Sequence, residues 1–345
     1  MPQSIPPKEG GIGTIRPYIP DQDDNCVSRL TIIIPLFYDT PVEAFEETLA
    51  SVLMHKPEEA GVLIANGTEY ADPWNTAREG VDFLALQKFS NPVDILNEAL
   101  CRASGDVFNI LWPGTEVTPN WFATALVLFE KNPEVGIVIP SVFDRRKPKR
   151  VFSFGIHYKP EGVLRTIRRS RWAEASGKTV VPHISAVFFR AGALSNSALL
   201  DRTFIPQIAY ADLAMTVSEQ NWTTVVDQKS RVMVRPNHLP TTSPFTWGLQ
   251  AERLYFRWFG ENSSIFSLGK HFGSFFADFW RHFPRLKAYQ IISGRLFGLL
   301  FFGEMLPFVR RSPKKPVRKE PKNDTPLLTR LPCNEQDVAS SKKSA

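Results

Sequence analysis

The chain has 345 residues, 43% of them hydrophobic, which is enough to bury a full core as one large domain with appendages or as two smaller ones. Its three cysteines, Cys26, Cys101 and Cys333, lie far apart and in an odd number, which excludes a closed disulfide framework and paired metal spacing and fits a reducing cytoplasm. The net charge of +6 is mild and gathered in short runs, the opening residues lack the basic-then-apolar order of a signal peptide, and no stretch reaches the ~18 uncharged apolar residues of a spanning helix, so a chain neither secreted nor transmembrane is expected.

Residues 1–28 are rich in Pro, Gly and Asp, and residues 312–345 in Lys, Pro and Ser. Such compositions bury too little apolar surface to offset chain entropy, so both ends are expected to be disordered. Between them LTIIIPLF (Leu30–Phe37) is a β-branched run suited to a parallel strand covered on both faces. PVEAFEETLASVLMH then places Phe45, Leu49, Val52 and Leu53 at helical spacing, with acidic residues near its start. GVLIANG, VDFLALQ and DVFNILW read as further strands, DILNEALCRA and WFATALVLFEKNP as helices, and VGIVIPSVF as a fifth strand. The alternation predicts right-handed βαβ units around a mostly parallel sheet, an α/β fold.

After Phe143 a basic stretch, Arg145, Arg146, Lys147, Lys149 and Arg150 and then Arg165, Arg168, Arg169 and Arg171, reads as a loop-rich insertion. VVPHISAVFFR resumes a strand, DLAMTVSEQNW a helix that Asp212 would open, and TTVVDQKSRVMV two short strands ending the body near Val234. From Phe245 to Arg311 the chain turns aromatic and basic. FSLGKHFGSFFADFWRHF sets Leu268, Phe272, Phe275, Phe276, Phe279 and Phe283 on one helical face, and RLFGLLFFGEMLPFVRR is a second apolar segment broken by Glu304 and Pro307. The expected organisation is a disordered segment 1–28, a domain 29–244, an amphipathic helical region 245–311 and a disordered basic tail 312–345.

In open α/β sheets ligands sit beyond the carboxyl ends of the strands, so chemistry is sought in those loops. IIIPLF with its Leu-Ala-Ser-Val-Leu helix, GVLIANGT (Gly61–Thr68), the segment carrying Asn97, Ala103, Gly105 and Asp106, LWPGTEVTPNWF (Leu111–Phe122) and the stretch from Ser185 to Trp222 ending in YADLAMTVSEQNW follow one another in order. Together they resemble the family 2 glycosyltransferases, whose corresponding forms are IIIPTYN, IIVVDNGS, ARNxGxxxAxGDYIxFL, LNPDTEVTPGWL and EDxDLxxR…GW. The resemblance spans about Leu30 to Val234 and implies a GT-A, nucleotide-diphospho-sugar transferase fold. It further implies that the chain moves a sugar from a nucleotide-diphosphate sugar to a cell-envelope or polysaccharide acceptor, with Mg²⁺ or Mn²⁺ on the donor phosphates and a carboxylate as base.

Carried over residue by residue, the resemblance assigns Pro35, Phe37, Asn66, Thr68, Asn97, Trp112 and Gly114 to nucleotide-sugar binding and Asp212 to catalysis. The family's metal-binding aspartate falls on Gly114 and its partner position on Trp112. The aspartate on the nucleotide base falls on Ala65, the Glu-Asp pair on Ala209 and Tyr210, and the downstream arginine on Thr216. Glu116 is then a displaced metal ligand or a solvated or capping glutamate. His238 is a metal ligand at the donor diphosphate or an exposed loop histidine. Asp212 is a displaced base or a helix N-cap, and Trp112 a stacking platform or a core residue. The basic runs either neutralise phosphates in place of a cation or belong to a solvated loop. The aromatic helix followed by RRSPKKPVRK offers the two signals of peripheral binding to an anionic membrane face, or packs on the domain. Nucleic-acid binding is disfavoured, because the basic residues lack interleaved aromatic platforms. Three classes remain: a transferase working without the usual metal on a glycan or lipid-linked acceptor, a pseudo-transferase acting as a binding or regulatory partner, and a membrane-associated scaffold.

Overall fold

The computed structural model describes residues 30–70, 80–86, 91–159, 161–169, 180–195, 199–259 and 265–304. The expectations for residues 1–28 and 312–345, and for Arg171, lie outside the described residues. In chain order the elements are β1 (Leu30–Leu36), α1 (Val42–His55), β2 (Gly61–Asn66), β3 (Val81–Ala85), α2 (Pro92–Arg102), β4 (Val107–Leu111), β5 (Thr115–Val117), α3 (Ala123–Lys131) and β6 (Val135–Asp144). There follow β7 (Lys147–Ser153), β8 (Ile156–Lys159), β9 (Val163–Thr166), β10 (Val180–Val181), β11 (Ala186–Arg190), α4 (Ala191–Ser195), α5 (Pro206–Glu219) and β12 (Thr223–Val234). Three C-terminal helices close the described chain: α6 (Pro244–Phe259), α7 (Ile265–His282) and α8 (Leu286–Glu304).

Among the described residues, nine strands form one sheet in the order β3-β2-β1-β4-β11-β6-β12-β5, with β7 added on β6, and β10-β8-β9 form a second, antiparallel sheet. β3, β2, β1 and β4 are mutually parallel, as are β6 and β12, while β11 runs antiparallel between β4 and β6. The carboxyl ends of β1, β2, β4, β6 and β12 therefore share one edge. The period of two along β1 splits the core: Ile32 and Ile34 share a cluster with Phe45 and Val52 of α1, Phe129 of α3 and Trp121 of the turn before α3, whereas Ile33 shares the other with Leu96, Ile110, Phe189 and Tyr210 toward α2 and α5. Each such buried aliphatic or aromatic side chain stabilises the fold by about 1.5–3 kcal/mol. The helix α2 starts where Asn91 accepts from the Val93 N–H with Pro92 at the first helical position.

Three expectations are corrected. The stretch after Phe143 is not loop-rich but holds β7, β8 and β9. Its strand signal is masked by charge on β7, and in β8 it survives as alternation, with Ile156 and Tyr158 buried and His157 and Lys159 half-exposed. The segment TTVVDQKSRVMV is one strand whose register shifts between Asp227 and Arg231, a bulge where the sequence suggests a break. Asp212 opens no helix: α5 begins at Pro206, and Asp212 sits inside it, 4% exposed.

The aromatic face of α7, open in the sequence to a membrane or to the domain, is divided between core and solvent. Of the predicted apolar face, Phe275 is buried, whereas Phe272, Phe276 and Phe283 are exposed. The buried face of α7 instead carries His271, Ser274 and Phe275. Leu268 lies outside the described side chains. The three C-terminal helices pack through α6, whose Leu254 lies in the same core as Tyr210. α8 approaches α6 so closely that a Cβ at Gly248 would stand 2.3 Å from the Ile291 carbonyl oxygen, and one at Gly294 2.1 Å from that of Phe245.

Candidate nucleotide-sugar site

The chain runs from β1 outward to β2 and β3 and returns through α2 to β4 on the other side of β1, so the crevice beyond the β1 and β4 ends is where an open α/β sheet binds ligands. At the β1 end Pro35 is buried opposite Ala65, and Phe37, 4% exposed, meets Trp112 with ring centroids 4.5 Å apart. Trp112 is itself 4% exposed and part of the core, so it forms an apolar wall with Phe37. At the β2 end Asn66 accepts from the Thr68 N–H at 3.0 Å and the Thr68 hydroxyl at 2.8 Å, and donates to the Tyr70 carbonyl at 2.8 Å. These bonds fold the loop into an Asx turn. Asn97, on α2, donates to the Leu200 carbonyl at 2.8 Å, and its Oδ1 is buried without a partner.

Gly114 has φ +85°, a left-handed turn that glycine adopts without cost. Its N–H donates both to the Ala44 carbonyl and to the Thr48 hydroxyl, each at 2.9 Å, which pins the β4 end to α1. His238 comes over the turn from a single helical turn, Pro236–His238, after β12. A Cβ built on Gly114 would lie 2.6 Å from the His238 Cβ, and the Nδ1 of His238 is buried without a hydrogen-bond partner. The space beside Gly114 is thus filled by His238, its Cβ nearest and its ring behind it. Glu116 points to Arg145, whose Nη1 bonds it and also Glu47, the latter at 3.1 Å, while Arg235 Nη2 bonds Glu47 at 2.8 Å.

These groups do not fit a divalent cation. Hard cations take several oxygen ligands, but Gly114 supplies no side chain, Glu116 is bound by a guanidinium, and among the described residues no three His, Cys, Asp or Glu side chains gather as a metal set. The Asp212 carboxylate is engaged as well. Asp212 Oδ1 accepts from Trp258 Nε1 at 2.9 Å and Arg257 Nε at 3.1 Å, and Arg257 Nη1 reaches Asp201 at 2.7 Å. Burial pushes the Asp201 carboxyl up, but the Thr203 hydroxyl and N–H together with Arg257 outweigh it and bring it down to about 2. The Tyr210 hydroxyl is buried without a partner, and burial pushes it upward, so it stays protonated.

Sequence reasoning missed Thr48, Glu47 and Arg235, which carry no motif, and also His183. This histidine is 8% exposed before β11, and its Nδ1 accepts from the Ser185 hydroxyl at 2.6 Å and N–H at 3.2 Å. The Ser185 carbonyl in turn holds the Trp112 N–H at 2.9 Å and the Thr115 hydroxyl at 3.2 Å, so His183 braces the β4 loop from behind. Burial lowers His183 from 6.5 to about 4. Between those values the unfolded chain binds more protons than the folded one, so this stability is complete above pH 6.5 and drains as pH falls toward 4. The midpoint of thermal unfolding is expected to drop across that window, and His183→Asn, which keeps an acceptor for Ser185, to flatten the drop; parallel profiles would refute the assignment.

The strand order and the shared carboxyl edge of the mostly parallel, helix-flanked sheet are those of a GT-A fold. The sequence matches no protein-family model and no curated protein. Solved structures are similar at low identity. GalNAc-T7 with UDP, GalNAc and Mn²⁺ gives a TM-score of 0.53 at 12% identity, over 81% of this chain and 57% of that one. The mannosyltransferase PcManGT from Pyrobaculum calidifontis, in complex with GDP-Man and Mn²⁺, gives 0.48 at 13% identity over 86% and 88% of the two chains. S. aureus TarS gives 0.45 at 12% identity over 80% and 73%. At such identities the likeness is one of fold.

Proposed function

We propose that this chain is a GT-A-type glycosyltransferase that moves a sugar from a nucleotide-diphosphate sugar to a cell-envelope or polysaccharide acceptor without a divalent cation. The observation that carries the metal-free reading is His238 lying over Gly114, where a carboxylate has no room. Positive charge for a diphosphate comes from Arg145 and Arg235, which stand beside the Gly114 turn, with the Arg145 N–H bonded to the Val234 carbonyl and that of Arg235 to the Gly114 carbonyl. Each guanidinium has five N–H donors, yet Arg145 meets both of its carboxylates through Nη1 and Arg235 meets Glu47 through Nη2. The remaining donors are available for charge-assisted bonds to phosphate oxygens.

A second reading, a catalytically inactive binding or regulatory partner, is favoured by one observation: Asp212 is held by Arg257 and Trp258. Both readings require nucleotide binding and differ in turnover. Uridine, guanosine and thymidine diphosphates and their sugars should be screened for thermal stabilisation in EDTA and in Mn²⁺. One of them is expected to stabilise the protein by about 2–3 kcal/mol at a hundredfold excess over its Kd, equally in both buffers. Arg145→Ala with Arg235→Ala should remove the shift. Donor consumption in EDTA that Asp212→Asn abolishes supports the transferase, whereas stabilisation without turnover supports the partner. A shift seen only with Mn²⁺ overturns the metal-free reading, and no shift with any nucleotide overturns both.

A further inference from the structure

The most apolar stripe of α7 faces solvent while a polar cluster faces inward. Phe276 is 69% exposed, Trp280 67% and Phe283 44%, whereas His271 and Ser274 are buried. The stripe continues on α8, where Leu286 is 72% exposed, Leu300 69% and Phe301 55%. Phe279 joins the two, its ring 5.4 Å from Phe283 and 5.3 Å from Tyr289. Monomeric soluble proteins rarely leave such a continuous aromatic surface uncovered.

Charge identifies what covers it. Between Ile265 and Phe301 the sequence contains a single acidic residue, Asp278, and that one is bonded to Arg295 inside the helical layer. The same span places Lys270, Arg285 and Lys287 at exposed positions beside the aromatic stripe, and RRSPKKPVRK follows it in the chain. Exposed Phe, Trp and Leu flanked by cations and, from Ile265 to Phe301, by no carboxylate outside the Asp278–Arg295 pair is the chemistry of a helix pair lying in the headgroup layer of an anionic bilayer. Among the described residues no helix is long and apolar enough to cross a membrane. We propose that the α7–α8 face is a docking surface for an anionic lipid bilayer, seating the protein on the membrane rather than through it. This holds whether or not the chain turns over a nucleotide sugar.

The test is sedimentation of the full chain with vesicles of phosphatidylcholine alone and of phosphatidylcholine with phosphatidylglycerol. Binding is expected to the anionic vesicles, to weaken in high salt, and to fall about tenfold or more in Phe276→Glu with Trp280→Glu. Both side chains are largely in solvent, so the variant should keep the wild-type thermal midpoint, and nucleotide-induced stabilisation should be unchanged. Three outcomes overturn the proposal: no sedimentation with anionic vesicles, sedimentation that the double variant leaves intact, or a dimer in solution that the double variant dissolves without any vesicle binding.

Discussion

Glu252→Leu is expected to destabilise the protein by about 3–5 kcal/mol, lowering the thermal midpoint by roughly 10 °C. Glu252 is fully buried on α6 and holds two partners, accepting from Arg295 Nε of α8 at 2.6 Å and facing His271 Nε2 of α7 at 2.8 Å. The other ring nitrogen of His271 is 2.8 Å from the Glu161 carbonyl, and the ring stacks on Tyr255 at 3.5 Å, so one carboxylate ties three helices to the β8–β9 turn. Arg295, 1% exposed, already has an unpartnered Nη2 and lies with its Cζ 4.1 Å from the Phe275 ring centroid. Removing the carboxylate leaves the buried guanidinium with Asp278 as its single carboxylate partner and takes the acceptor from Arg295 Nε and the facing group from His271 Nε2, and these buried groups left short of a partner are the source of the loss. Glu252→Leu combined with Arg295→Met removes both charges at similar volume, and Asp278, at 15% side-chain exposure, can turn to water. The double variant should therefore be more stable than the single one. Chemical denaturation checks both; a single variant within about 1 kcal/mol of wild type, or a double variant no better than the single, would show that the cluster does not hold the helices.

The same cluster shows why the sequence revealed the sheet better than the helical layer. β1, β2, β4 and β6 are runs of Ile, Leu and Val whose composition alone demands burial on both faces, so their existence and parallel arrangement could be read directly. In α7 the aromatic spacing gave the helix but not its orientation. Periodicity ranks faces by apolarity, whereas here the inward face is chosen by pairing His271 with a glutamate from another helix. That pairing is long-range and leaves no local trace. β7 was hidden by its lysines and arginine, since an edge strand tolerates charge that a central strand does not.

At the candidate site the resemblance brought Pro35, Phe37, Asn66, Thr68, Trp112 and Gly114 to the ends of β1, β2 and β4, and these residues do lie along one edge. What it could not supply was occupancy. The alignment gave Gly114 as an empty ligand position and His238 as a separate loop histidine, but it did not say that one fills the space of the other. Nor did it show that Arg145, counted in a basic run, is drawn onto Glu116 and Glu47. That a residue lacks a side chain is visible in a sequence; which neighbour occupies the space beside it is visible only in three dimensions.

Gly114→Asp, which places there the residue type that the resemblance implies, should accordingly be harmful, costing about 2–4 kcal/mol of stability and producing no stabilisation by Mn²⁺. Two effects add. A side chain at φ +85° carries a left-handed penalty of about 1 kcal/mol, softened for aspartate, and the new Cβ would meet the His238 Cβ at 2.6 Å. Because the nearest atom is the β-carbon itself, His238→Ala should relieve little, whereas His238→Gly should recover most of the loss and leave only the backbone part. Thermal unfolding of the four proteins, each with and without Mn²⁺, separates these contributions. If Gly114→Asp is as stable as wild type, or gains stability from Mn²⁺ on its own, His238 does not close the ligand position and a cation can enter the cradle. Should His238→Ala rescue as fully as His238→Gly, the imidazole ring rather than the backbone of the Pro236–His238 turn sets the spacing, and the turn itself is free to move away from β4.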